Sequence, residues 1–169
     1  MQKPKLIIGS IVVVAMAIGW YFFRPELLFI NKTVHETLPG SATSTSTAQG
    51  SQAMVLATGR FHSVSHETSG VATIHQLSDG KRLVRFTTFE TSNGSDVRIY
   101  LVAAKDATDN ETVIRAGFVD LGAMKGNRGD QNYEVPTNID LGQYQSVTVW
   151  CRRFGVNFAT APLTPHRQI

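Results

Sequence analysis

The chain has a single cysteine, Cys151. That excludes an internal disulfide and any zinc site built on several cysteines. Charge excess is also small, with 16 Lys+Arg against 13 Asp+Glu, or +3 over 169 residues. The basic residues are scattered rather than gathered into a stripe with interleaved aromatics, which argues against a nucleic-acid partner. No Ser-His-Asp order with an elbow motif, no phosphate loop and no dinucleotide fingerprint occurs, which disfavours hydrolase and nucleotide chemistry. A Cys-x-x-Cys-His attachment signal for haem is absent. Beyond the N-terminal segment no stretch of useful length shows helical periodicity, and no internal repeat is present. Whether the chain is an enzyme stays open at this level.

What is present begins with an apolar run. "MQKPK" carries Lys3 and Lys5 and is followed by "LIIGSIVVVAMAIGWYFF", Leu6 to Phe23, without a charge. As a helix this run is roughly 27 Å long, close to the hydrocarbon thickness of a bilayer. Trp20 and Tyr21 lie at its far end, where amphipathic rings favour the interface. The expectation is a transmembrane anchor over 6–23, with residues 1–5 cytoplasmic and the rest extracytoplasmic, as the preceding lysines suggest. "AMA", Ala15 to Ala17, offers a signal-peptidase pattern. Cleavage there would leave "IGWYFF" as an apolar terminus, so the uncleaved single-pass form is favoured. Residues 24–53 read as a juxtamembrane segment and a Ser/Thr-rich tether, too polar to offset its chain entropy. From Asn31 to Gln52 such a tether reaches roughly 25 Å on average.

From Met54 to Leu163 short alternating runs are punctuated by turn residues, with a C-terminal tail over 164–169. "GVATIHQL" and "KRLVRFTTF" flank "SDG", an Asp-Gly hairpin signal. Further strands are expected in "VRIYLVAA", near Phe118 to Leu121, and in "NYEVP", "SVTVWC" and "VNFATAPL". "KDATDNET" reads as a polar loop. Roughly seven or eight strands in one domain predict an all-β antiparallel sandwich, or a barrel-like version of it.

Cys151 carries two readings. Along "SVTVWC" it shares a face with Val147 and Val149, while Trp150 shares the other with Thr148 and Arg152. A buried free cysteine is a small hydrophobe. Against that, Phe154, Val156 and Phe158 alternate in phase with Trp150. An extra residue near Arg152, Arg153 or Gly155 would restore a common face, and such bulges re-aim side chains beside functional sites. A guanidinium beside a sulfur favours the thiolate. An unpaired cysteine in an exported chain suggests a reactive thiol or an intermolecular disulfide. His62 and His66, four apart, share a face on a strand or a helix. Either suits a metal or an axial haem position, but no third ligand lies nearby, and surface or turn histidine is the better reading. His75 reads as a strand packing residue. Arg128-Gly129-Asp130 reads as a tight turn rather than an integrin loop. Asp120, Asp130 and "DATDNE" lack the spacing of a calcium loop. Asn31, Asn93 and Asn110 head glycosylation acceptor triplets.

The blocks "GRFHSVSHETSGVATIHQLSDGKRLVRFTTFETSNGSDVRIYL", "VDLGAMKGNRGDQNYEVP" and "YQSVTVWCRRFGVNFATAPL" together resemble the DM-thirteen domain family. This is a small all-β module of exported and cell-surface proteins, often found beside DOMON domains. The resemblance implies electron transfer centred on a characteristic cysteine, as a bare thiol or as the holder of a prosthetic group such as haem. Cys151 in "VWCRRF" stands at the matching place. If a cofactor is held, His66 is the residue to test with it. No DOMON domain is present, so a redox partner would be another exported protein. The expectation is a membrane-anchored redox domain. The alternative is a scaffold without redox chemistry, presenting "TSNGSD" and "KGNRGDQ" to an exported protein or a surface polymer.

Overall fold

A computed structural model describes residues 3–23, 30–39 and 53–166, with side chains of the N-terminal helix described from Ile8 to Tyr21. Helix α1 (Lys3–Phe23) forms where the apolar run lies. Among the described residues no helix is long and apolar enough to cross a membrane. The spanning role read from Leu6–Phe23 is therefore not supported by the described structure.

The remaining elements are β1 (Thr33–His35), β2 (Met54–Arg60), β3 (His62–Ser63), β4 (Ser69–Gln76), β5 (Arg82–Glu90), β6 (Val97–Val102), α2 (Asn110–Ala116), β7 (Phe118–Ala123), β8 (Arg128–Val135), β9 (Ser146–Cys151), β10 (Val156–Pro162) and β11 (Thr164–Pro165). They form a β-sandwich. One sheet has six strands in the order β1-β8-β5-β4-β2-β11, the other five in the order β3-β10-β9-β6-β7. All pairings are antiparallel except β1 with β8. The Asp-Gly hairpin joins β4 to β5 as its sequence predicts, with the Asp79 carboxylate accepting the Lys81 amide at 3.0 Å.

The core follows the period of two. Ala72, Ile74, Val84, Phe86 and Tyr133 of the larger sheet face Ile99, Leu101, Val147, Val149 and Ala161 of the smaller one. All residues of β9 are buried, because its second face is covered as well. Tyr100, Val102 and Trp150 pack there against Ala107 and Val113 of α2 and its lead-in.

Helix α2 falls inside the region read as a polar loop running into a strand. Its start was signalled. Asp109 accepts the Thr112 amide at 2.7 Å, an N-cap, and Glu111 and Arg115 pair one turn apart. A single buried side chain, Val113, is too little for a periodicity signal.

Residues 30–39 also depart from the tether reading. β1 adds to the edge of the larger sheet, and Glu36 bonds both the Lys125 ammonium at 2.8 Å and the Asn132 amide at 2.7 Å. Arg85 donates to the Glu36 carbonyl at 2.8 Å. A short polar strand such as Thr-Val-His has no alternation to read, so its pairing was invisible locally. The rest of the expected tether, 40–52, lies outside the described residues.

Candidate functional site

Cys151 closes β9, paired with Val156 of β10 and Val97 of β6. It is 2% exposed and belongs to the apolar cluster between the sheets, on the same side as Val147 and Val149. The chain then turns through residues 152–155, with Gly155 at φ +63, a conformation glycine adopts at little cost. The parity break is therefore a turn at Arg152–Gly155, not a bulge there. A bulge does exist, one turn later. Asn157 faces Trp150 and Ala159 faces Val149, which leaves Phe158 as the extra residue. Phe158 is buried toward the core, while Asn157 and Thr160 point to the other face and both bond the Ala107 carbonyl at 2.8 Å. The bulge thus keeps both faces of β10 occupied.

The arginine beside the cysteine serves a different partner. The Arg152 amide donates to the Asp96 carbonyl at 2.9 Å, and its guanidinium Nε to the Asp96 carboxylate at 2.8 Å.

His66 lies against Phe158, with ring centroids 3.8 Å apart, and its amide donates to the Phe158 carbonyl at 3.2 Å. The structure thus links His66 to the cluster of Cys151 through Phe158. Partial burial holds its imidazole below the ordinary value of 6.5. His62 goes elsewhere, to the Asp106 carboxylate at 2.8 Å. His75 of β4 has a buried Nδ1 without a hydrogen-bond partner, and burial followed by the nearby Arg85 charge lowers it from 6.5.

Both shifted histidines have folded values below the unfolded one. Their contribution is full above 6.5, and stability falls as pH drops from there through the folded values, since the unfolded chain binds protons first. A His66→Gln, His75→Gln double variant should lose less stability between pH 7 and pH 5 than the parent. Denaturant midpoints at the two pH values check this. An equal loss in both proteins would place the dependence on other groups.

The tight-turn reading of Arg128-Gly129-Asp130 is corrected. These residues open β8 and pair with both β1 and β5. Asp130 binds the Arg85 guanidinium at 2.7 Å and accepts the amide of Thr88, which sits at a β5 bulge with φ 49. Its carboxylate is a structural partner of the sheet. Asp120 pairs with Arg98 at 2.6 Å. Among the described residues no cluster of three or more His, Cys, Asp or Glu is arranged to hold a metal ion.

The same end of the sandwich carries a polar groove of about 620 Å³, lined by Asn31, Glu67, Thr68, Glu90, Asn93 and Arg128 among others. A Cβ on neighbouring Gly94 would touch Val97 and Phe158, the residues around Cys151. Groove and cysteine are thus close, yet Cys151 does not line the groove. The residues around Cys151 do not fit haem: among the described residues the cysteine is 2% exposed and enclosed by packed apolar side chains, which leave a porphyrin ring no room beside the sulfur.

The family model described as Electron transfer DM13 matches residues 60–163. The chain belongs to the electron transfer DM13 family. No curated protein and no solved structure matches it. The matched DM13 segment runs from the end of β2 to the end of β10 and includes Cys151, His66, α2 and the groove's lining apart from Asn31. Helix α1 and β1 lie outside it. The DM13 match agrees with the resemblance read from the sequence blocks.

Proposed function

We propose that this chain is an extracytoplasmic electron-transfer domain held at a membrane by α1, with Cys151 as its redox group. The observation that carries the redox part is the DM13 match across the domain that encloses its single cysteine. Burial narrows the chemistry. Thiol–disulfide exchange needs an approach to sulfur, and a sulfur 2% exposed between two sheets offers none. An intermolecular disulfide is disfavoured for the same reason. A single electron needs no such approach. In this reading the Cys151 thiol loses one electron to a one-electron oxidant carried by another exported protein and one proton to solvent. The resulting thiyl radical regains the electron from a one-electron reductant and the proton from solvent. Membrane attachment is supported by the uncharged run Leu6 to Phe23 and by the exposed apolar side chains of α1, such as Ile11, Met16 and Trp20, which favour an apolar medium.

The test is thiol titration of the full chain with an aromatic disulfide reagent. Cys151 should be inert when folded and should react once in denaturant, and Cys151→Ala should fold but lose electron exchange in cells. A Cys151→Ala strain that behaves as the parent would end the cysteine-centred reading.

The polar groove favours a second reading, a binding module for an exported protein or surface polymer. "TSNGSD" borders it through Thr91, Ser92 and Asn93, and "KGNRGDQ" through Arg128. Capture of a partner that survives Cys151→Ser and fails on Asn93→Ala with Arg128→Ala would select it.

A further inference from the structure

The outer face of the five-stranded sheet carries an aromatic column. Phe118 opens β7 and is 43% exposed. Its ring lies parallel to that of Tyr100 on β6, with centroids 4.1 Å apart and planes 3° apart. Tyr100 in turn meets Trp150 of β9 at 6.1 Å and 25°. Tyr100 and Trp150 are 2% and 5% exposed, enclosed by Ala107 and Val113. The column thus runs from the surface to the residue bonded to Cys151. Its two inner members are the side chains, besides the thiol, that lose a single electron most readily. Ion pairs Arg98–Asp120 and Arg152–Asp96 flank it and balance each other in sign. Packing alone would be met by any apolar pair on this face. Tyr and Trp add oxidisable rings that follow one another across this face.

We propose that Phe118, Tyr100 and Trp150 form the port through which the domain exchanges single electrons with an oxidant carried by another protein. The inference rests on the electron-transfer reading above. The oxidant docks over Phe118 and takes one electron from Trp150 through Tyr100, leaving an indole radical cation. Cys151 then returns one electron to the indole, its S–H proton leaves to solvent, and a thiyl radical remains.

The test uses the full chain in detergent with Trp20→Phe, so that Trp150 is the only tryptophan, and photogenerated tris(bipyridine)ruthenium(III) as oxidant. Transient absorption should show an indole radical that Trp150→Phe abolishes. Phe118→Leu, at a surface position that circular dichroism should show folded, should slow its appearance severalfold. Tyr100→Phe, which keeps the ring, should slow it less. An absent indole radical, or an unchanged rate in Phe118→Leu, overturns the port. Cys151→Ala separates the two ideas. If the thiol is the inner donor, the indole radical outlives that of the parent. An equal lifetime sinks the role of Cys151 while leaving the port standing.

Discussion

Phe86→Ala should lower the free energy of unfolding by about 3–5 kcal/mol, the range for emptying an aromatic site in a packed core. Phe86 is fully buried in the middle of β5. Its ring meets Phe61 edge-on at 4.9 Å, Phe89 at 4.8 Å and Tyr133 at 5.2 Å. Phe89 shares β5 with Phe86, but Phe61 and Tyr133 come from parts of the chain far away in sequence, so no single backbone shift closes the hole. Tyr133 makes collapse harder still. Its hydroxyl donates to the Gln131 side chain at 2.7 Å and accepts the Lys125 amide at 3.1 Å, so the ring cannot slide without breaking both. Chemical denaturation of parent and variant reads the difference. A loss under about 1 kcal/mol would mean that the cluster relaxes freely, unlike a close-packed interior.

The same cluster explains how much could be read without coordinates. Strands with one face on the core, such as β4 and β5, alternate in sequence and join through an Asp-Gly turn, and both signals are local. Strand β9 also carries its parity openly, so the inward aim of Cys151 with Val147 and Val149 was legible. What covers the other face was not. The Asn157 and Thr160 bonds to the Ala107 carbonyl tie residues some fifty apart, and only the folded chain brings them together. The groove has the same character, since its rim is drawn from four separate loops and strands. The Phe158 bulge was sought too early because residues 152–155 look like strand by composition. Gly155 at positive φ and the Arg152 bonds to Asp96 turn them away.

Docking of residues 30–39 bears on how the domain stands at a membrane. Because the chain enters the sheet at Thr33, the Ser/Thr-rich stretch 40–52 lies between two strands of the same domain, β1 and β2. It then cannot serve as the spacer. The connection from Phe23 to Ile30 spans at most about 25 Å when fully extended. In the proposed arrangement the β1 edge therefore stays close to the membrane surface.

Gly129→Ala should release that edge. Gly129 has φ +91, and a Cβ there would run into the carbonyl of Val34, its parallel partner in β1. Strain of this kind costs about 1–3 kcal/mol before the clash is counted. The cheapest relief is for β1 to leave, because it is a three-residue edge strand whereas β8 is also held by β5. The Glu36 bonds to Lys125 and Asn132 and the Arg85 bond to the Glu36 carbonyl should go with it. Limited proteolysis with trypsin, which would cut after Lys32, should be at least tenfold faster in the variant if opening costs about 1.4 kcal/mol less. Adding Glu36→Ala to Gly129→Ala should then change little, because the bonds that Glu36 makes are already lost. If Gly129→Ala instead unfolds the whole domain at the rate of cleavage, β1 is part of the cooperative core rather than an edge that opens by itself.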